Sequence, residues 1–215
     1  MQKNRVKEEF LYANLVKKEA FMGMIVPISG VSGAGKTTLF QHLLSSNHGY
    51  VIIPSVTTRN PRERDLPGEF LHVTPEDFTQ KEALNEFLWL TPPLHGARYG
   101  TLRASVDDAI ARNGNSAMVI TVNNVKDLVL YAWKESRDIC SLHILSPGDA
   151  EIRRRLTLRG EELDAVNERI HSCRTWDTEA IALSYHLPIN LLSNNRDIPS
   201  FLKSAENRLR NFNTR

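Results

Sequence analysis

Cysteine is nearly missing from this sequence: Cys140 and Cys173 are the only two among 215 residues. They form no C-x-x-C pair and no metal-ligand spacing. That argues against a disulfide scaffold or a zinc site and suits a reducing, cytoplasmic setting. No apolar run approaches the length needed to cross a bilayer, so no membrane partner is expected. Met1 to Ala20 lacks the uninterrupted apolar stretch of a secretory signal. An excess of one charge is lacking too, since the formal net charge is +2. That is too near balance to imply a surface for coating nucleic acid. There is no internal repeat and no low-complexity tract. What remains, 41% hydrophobic and 24% charged residues over this length, describes one substantial globular domain with room for small inserted subdomains.

Along the chain, Val6, Phe10, Ala13 and Val16 fall on one helical face and read as a short amphipathic helix in an N-terminal extension, residues 1–21. Met22 and Met24 stand just before the first strong strand, and either is a possible natural start. From Met24 the pattern is α/β. Strands are expected at Met24–Ser29, Tyr50–Ile53, Ala117–Val122, Ile139–Leu145 and His186–Asn190. Helices are expected after the first strand (Leu39, Phe40, Leu43, Leu44), at Ser105–Arg112, Val125–Glu135 and Pro199–Phe212, with a basic helical region from Ser146 to about Cys173. Alternation of this kind predicts a parallel sheet covered on both faces. Pro27 is awkward inside a central strand and is expected at a frayed start or an unpaired position. Ser55 to Thr101, rich in Pro, Arg and Gly, reads as an insertion with one helix capped by Thr74, with Pro75 in its first turn.

Gly30-Val31-Ser32-Gly33-Ala34-Gly35-Lys36-Thr37 matches G-x-x-x-x-G-K-S/T between a strand and a helix. Glycines let successive backbone N–H groups point at phosphate oxygens, and the following helix adds its positive end. Lys36 supplies a cation for β- and γ-phosphates, and the Thr37 hydroxyl is placed to ligate Mg²⁺. Gly30, Ser32, Gly33, Ala34, Gly35, Lys36, Thr37 and Thr38 are therefore expected to bind ATP.

Three further segments resemble the guanylate kinase family. Ser55-Val56-Thr57-Thr58-Arg59-Asn60-Pro61-Arg62 is similar to its S-x-T-T-R-x-P-R stretch. His95-Gly96-Ala97-Arg98-Tyr99-Gly100-Thr101 resembles its G-x-x-Y-G-S/T segment. Glu151 to Gly160, with Arg155-Leu156-Thr157-Leu158-Arg159-Gly160, resembles its R-L-x-x-R-G lid. Together they run in family order from Met24 to about Leu209. The resemblance implies an ATP- and Mg²⁺-dependent kinase of a nucleoside monophosphate, GMP by default, acting on small molecules as a cytoplasmic monomer or homodimer. It implies a three-layer P-loop NTPase fold with a central parallel sheet, an inserted acceptor-binding subdomain at 55–104 and a helical lid at 146–177. The core is then 22–54, 105–145 and 178–215. It places Ser55, Arg59, Arg62, Phe70, Tyr99 and Thr101 on the acceptor and Lys36, Arg155, Arg159 and Arg169 at the transferring phosphate. Asn190 falls beside the adenine of ATP.

Arginine suits such a site because its planar fork pairs with phosphate and stays charged. Arg155 and Arg159, four apart, would share one helix face, whereas Arg153 and Arg154 read as a solvated face. The pattern departs from the family in base recognition. The glutamate that reads guanine corresponds to Trp89 or Leu90, depending on where an insertion near Thr91-Pro92-Pro93 is placed. Two strand aspartates correspond to Thr121 and Asn123, and a phosphate-contacting tyrosine corresponds to Phe70. Three readings follow: a kinase still acting on GMP, a kinase of another phosphorylated acceptor such as ribose 1,5-bisphosphate, or a non-catalytic binding module. Retention of the phosphate cradle argues against the last.

Overall fold

The computed structural model describes residues 23–213 apart from 95, 113, 173 and 196. The expected N-terminal helix, His95 of the glycine-tyrosine segment, Asn113 of a helix stop and Cys173 at the lid's end lie outside the described residues.

β1 (Ile25–Gly30) is buried along its whole length, as a strand covered on both faces must be. It is the middle strand of a parallel sheet with β2 (Val51–Ile52), β7 (Ser116–Val119), β8 (Ser141–Leu145) and β9 (Ile189–Ser193), in the order β2-β7-β1-β8-β9. Alternate residues of the first strand feed two cores. Met24, Val26 and Ile28 pack with Leu39, Phe40 and Leu43 of α1 (Lys36–Ser45) and with Phe201 and Ala205 of α8 (Ile198–Asn213). Ile25 packs with Val125, Leu128 and Val129 of α4 (Val122–Lys134). Helix, sheet and helix are thus stacked as three layers.

Pro27 is not at a frayed start: it lies within β1, in register with Met118 on the β7 side, and is outside the continuous register on the β8 side. Ile25 exchanges its N–H and C=O with Asp138 and Cys140 on the β8 side, so by alternation the missing Pro27 N–H also falls on that side. There the continuous register begins only at Ile28 opposite Leu142. The strand tolerates the proline because it costs one rung on one neighbour.

The insertion holds more than the capped helix. β3 (Ser55–Thr57), β4 (Phe70–His72), β5 (Phe87–Leu94) and β6 (Ala97–Leu102) form a second sheet in the order β4-β3-β6-β5. Pro92 and Pro93 concealed β5, yet it is an edge strand with a register shift between Thr91 and Leu94, where proline is allowed. Gly100 is needed for packing, because a Cβ there would come within 2.6 Å of Phe87 Cδ1. The expected helix is α2 (Pro75–Ala83), whose first turn donates Asp77 N–H to Thr74 Oγ1 at 3.0 Å.

Other boundaries moved. α3 (Arg103–Ala111) starts two residues before Ser105, with the Arg103 N–H on the Glu86 carbonyl. The strand expected to reach Val122 ends at Val119, and Val122 opens α4. The basic region is two helices, α5 (Asp149–Thr157) and α6 (Leu163–Ser172). Gly160, at φ 77, turns the chain between them. α7 (Trp176–Ser184) was not foreseen, and it displaces the last strand from His186 to Ile189. No described helix is long and apolar enough to cross a membrane.

One buried polar group stands out in this core. His143 is fully buried on β8 and bonds Ser29 Oγ and Asp177 Oδ1, each at 2.8 Å. Burial lowers its pKa, against the opposing effect of Asp177. A depressed histidine pKa means the unfolded chain binds the proton first. Its contribution is therefore fully present above about pH 6.5 and is lost as pH falls through the folded-state value. Melting temperature should fall below that pH with a slope that His143→Gln reduces. Parallel pH profiles of the two proteins would refute this.

Candidate active site

The phosphate loop follows directly from β1. Gly35, at φ 116, caps α1, and a Cβ there would meet Asn194 Nδ2 at 2.4 Å. Neither a capping side chain nor an acidic residue occupies the first turn of this helix, the arrangement that leaves a helix end suited to an anion. Lys36 Nζ donates to the carbonyls of Gly30 at 2.7 Å and Val31 at 2.9 Å, which holds the ammonium over the loop. Ser32, Gly33, Gly35, Lys36 and the exposed Thr37 all line a polar cavity. Ala34 is buried and Thr38 lies outside that lining.

The same cavity is bordered by Arg59, Arg62, Arg64, Arg159 and Arg169, and these arginines differ in their partners. Arg59 pairs with Asp65 at 2.8 Å and lies over the Phe70 ring. Arg169 pairs with Glu161 at 3.0 Å and reaches Ser32 Oγ at 3.5 Å. Among the described residues, neither the Arg62 nor the Arg159 guanidinium has a salt bridge or a hydrogen bond. Desolvation and the Arg59 and Arg169 charges push the Arg62 pKa down. Desolvation and the Arg64 charge do the same to Arg159, against Glu161. Cations held close together at an energetic cost are relieved by a polyanion between them.

Arg155 behaves differently from the sequence expectation. It donates to Glu151, to the Gly33 carbonyl at 3.2 Å and to the Asn194 carbonyl at 2.9 Å, and it lines neither large cavity. The shared helix face does not exist, because α5 ends at Thr157 and Arg159 lies in the turn beyond it. Arg155 braces the loop from behind while Arg159 faces the cavity. Asn190 is likewise displaced: it lies on β9 opposite Leu142, and its amide reaches Cys140 Sγ at 3.3 Å. Asn194, four residues on, is the asparagine that meets the phosphate loop, donating to the Ala34 carbonyl at 2.7 Å.

A second, more apolar cavity adjoins the first and shares Ser32, Lys36, Arg62, Phe70, Tyr99 and Arg169 with it. Ser55, Thr91, Thr101, Thr121, Trp89 and Trp176 complete its polar and aromatic lining. The two candidates on β5, Trp89 and Leu90, differ in placement. Trp89 is 7% exposed and lines the cavity, whereas Leu90 is 37% exposed and does not. Thr91 accepts a 2.7 Å hydrogen bond from Asn124 Nδ2, so its own proton can be donated onward. Thr121 Oγ1 is buried without a partner among the described residues. Asn123 is exposed and takes no part; its neighbour Asn124 does. No carboxylate lines this cavity among the described residues. Glu86 pairs with Lys81 at 2.9 Å outside it.

The structure therefore gathers Lys36, Thr37, Ser55, Arg59, Arg62, Phe70, Tyr99, Thr101, Arg159 and Arg169 around two adjoining cavities. Sequence reasoning missed Thr91, Asn124, Trp176 and three carboxylates of the polar cavity: Asp65, Glu69 and Glu161. Burial raises the Glu69 pKa, against a hydrogen bond from Leu66 N–H. At Asp65 burial also works against the charge, but hydrogen bonds from Arg59 and from Arg62 N–H outweigh it and hold the pKa down. Acidic residues among so many arginines gave no motif to find. No group of three or more His, Cys, Asp and Glu suited to a metal occurs among the described residues. A Mg²⁺ arriving with nucleotide phosphates fits nonetheless, because it keeps mostly phosphate and water oxygens and needs one hydroxyl such as Thr37.

The sequence model of the family described as Guanylate kinase matches residues 22–183. The guanylate kinase of Anaeromyxobacter dehalogenans (strain 2CP-C) is 37% identical over 150 residues, covering 69% of this chain and 63% of that protein. The chain thus spans under two thirds of that relative's length. The guanylate kinase of Bartonella henselae (strain Houston 1) is 33% identical over 162 residues, 74% of this chain and 70% of that one. The crystal structure of guanylate kinase from Anaplasma phagocytophilum has a TM-score of 0.59 at 21% identity, covering 91% of this chain and 88% of that one. A gluconokinase from Sinorhizobium meliloti 1021 has a TM-score of 0.53 at 12% identity, covering 90% and 95%. These two structures share the fold.

Proposed function

The chain belongs to the guanylate kinase family, and we propose that it transfers the γ-phosphate of ATP to the phosphate of a nucleoside monophosphate, with GMP the default acceptor. The observation that carries this reading is a pair of arginines, Arg62 and Arg159, whose guanidiniums have no salt bridge or hydrogen bond among the described residues and which face the phosphate loop across one cavity. Transfer between two polyanions needs such positive charge at the point where they meet. A non-catalytic module has no use for it.

On this reading the loop amides and Lys36 hold the ATP phosphates, and the Thr37 hydroxyl would hold a Mg²⁺ that would screen their charge. Arg59, Arg62 and Tyr99 hold the acceptor phosphate. One of its oxygens attacks the γ-phosphorus, the bond to the β–γ bridging oxygen breaks, and ADP leaves. An anionic phosphate oxygen is already nucleophilic, so no side-chain base is required. The protein contributes alignment, charge stabilisation and exclusion of water as the lid closes. Ser55 and Thr101 contact the rest of the acceptor. Arg155 and Asn194 support the loop, and Asn190 has no part in this mechanism.

The lining of the apolar cavity favours a second reading. Without a carboxylate to pair with the guanine edge, the acceptor is one lacking guanine, such as ribose 1,5-bisphosphate. A coupled ADP-release assay with GMP, dGMP, AMP, UMP, dTMP and ribose 1,5-bisphosphate tests both. Turnover with none of the six would refute the phosphotransferase reading.

Arg159→Ala should lower kcat about a hundredfold and change the KM for ATP less than about threefold, because its partner charge develops only in the closed, reacting complex. A change confined to KM would assign it to ground-state binding.

A further inference from the structure

Beneath the phosphate loop, three polar side chains form one hydrogen-bonded chain that the transfer step does not touch. Ser29, the residue before Gly30, lies opposite His143 in the β1–β8 register, and its Oγ is 2.8 Å from His143 Nδ1. His143 Nε2 is 2.8 Å from Asp177 Oδ1. The other oxygen of that carboxylate, Oδ2, accepts the Ser146 N–H at 2.8 Å. A carboxylate oxygen requires a donor, so Nε2 carries the imidazole proton and Nδ1 accepts from the Ser29 hydroxyl.

The positions matter more than the bonds. Ser146 is the first residue after β8, and Asp177 stands in the first turn of α7. Between them run α5 and α6, which carry Arg155 and Arg169, and the intervening turn with Arg159. One carboxylate therefore ties both ends of this segment together, and His143 ties that carboxylate to the strand leading into the phosphate loop. Ser29 and His143 are fully buried. An apolar side chain would fill the site at lower desolvation cost, but it would hold no direction.

We infer that His143 is a positioning residue for phosphoryl transfer, acting through Asp177 to hold both roots of the 146–177 segment at a fixed place relative to the phosphate loop. This rests on the phosphotransferase reading. Arg159 and Arg169 can meet the transferring phosphate reproducibly only if the hinges of the segment that bears them do not wander. A 1 Å displacement of such groups is costly to the reaction while binding of ATP to the loop is spared.

Four variants test it. His143→Phe fills the space and breaks both bonds. His143→Gln can present an amide near Nε2 and still donate to Asp177. His143→Asn reaches only toward Ser29. The isosteric, partly exposed Asp177→Asn keeps one acceptor and loses the other without threatening the fold. We expect kcat to fall at least about tenfold in His143→Phe, His143→Asn and Asp177→Asn, with KM for ATP within about threefold and substantial recovery in His143→Gln. Amide hydrogen exchange over 149–172 should quicken in the same three variants relative to α1 and α4. Unchanged kcat and unchanged exchange over 149–172, with only a lower melting temperature, would overturn the inference. If the wild type turns over no acceptor, the phosphotransferase reading fails separately, and exchange with and without Mg·ATP still decides whether His143 restrains the segment.

Discussion

Lys36→Ala should reduce phosphoryl transfer at least about a thousandfold while the protein remains folded. The ammonium is held by two carbonyls of the loop, Gly30 and Val31, and lines both cavities. With Arg62 and Arg169 it is one of the three cations that, among the described residues, line both cavities. Removing one preorganised charge from a site where negative charge is concentrated costs about a hundred- to a thousandfold, and this residue also organises the loop that binds ATP. Folding should survive because the core beneath is made by Leu39, Phe40 and Leu43, not by Lys36. Melting temperature is expected to shift by no more than a few degrees, about the effect of 1 kcal/mol in a chain this long. Wild-type turnover in a folded variant would remove the ATP-site assignment.

The second large effect concerns discrimination between acceptors. The ratio of kcat/KM for GMP over AMP should be less than about a thousandfold, or an acceptor without guanine should surpass both. A site built to hydrogen-bond one group rejects analogues by about 10⁴-fold or more, because the wrong ligand leaves buried polar atoms unpaired. Guanine offers two adjacent donors, which a carboxylate reads in parallel. Here the cavity presents Trp89, Thr91 and Thr121 instead. A hydroxyl both donates and accepts, so it adapts to a keto or an amino group, and an indole face stacks on any base. Glu86 is occupied by Lys81. Glu69 lies on the phosphate side, where it accepts from Leu66 N–H at 3.1 Å. A GMP preference well above a thousandfold would mean that the guanine edge is read by a group outside this lining.

The phosphate loop was legible because its chemistry is local. Eight consecutive residues set their own backbone path, and a strand before and a helix after are enough to orient it. The capped helix at Thr74 and the alternation of the parallel core were legible for the same reason. The second sheet was not. β3 and β4 are only three residues long, β5 contains Pro92 and Pro93, and the pairing joins Ser55 with Phe70 and Val56 with Gly100 across segments that carry no periodic signal.

The phosphate-loop motif and the arginines of the three family-like segments were enough, in sequence alone, to raise the expectation of a phosphate ligand. Which arginines remain available for it was decided only in three dimensions. Arg155 is consumed by carbonyls of Gly33 and Asn194, distant in sequence, and Arg159 escapes that fate because Gly160 ends the helix just before it could share the same face. The same holds for Trp89 over Leu90, which follows from strand alternation in β5, and for the Ser29–His143–Asp177 chain, whose members lie on three separate elements. Backbone conformation is a short-range property that neighbouring residues dictate. The pairing of a charge is settled by whichever donor or acceptor the folded chain brings within 3 Å, and only the packed structure determines that.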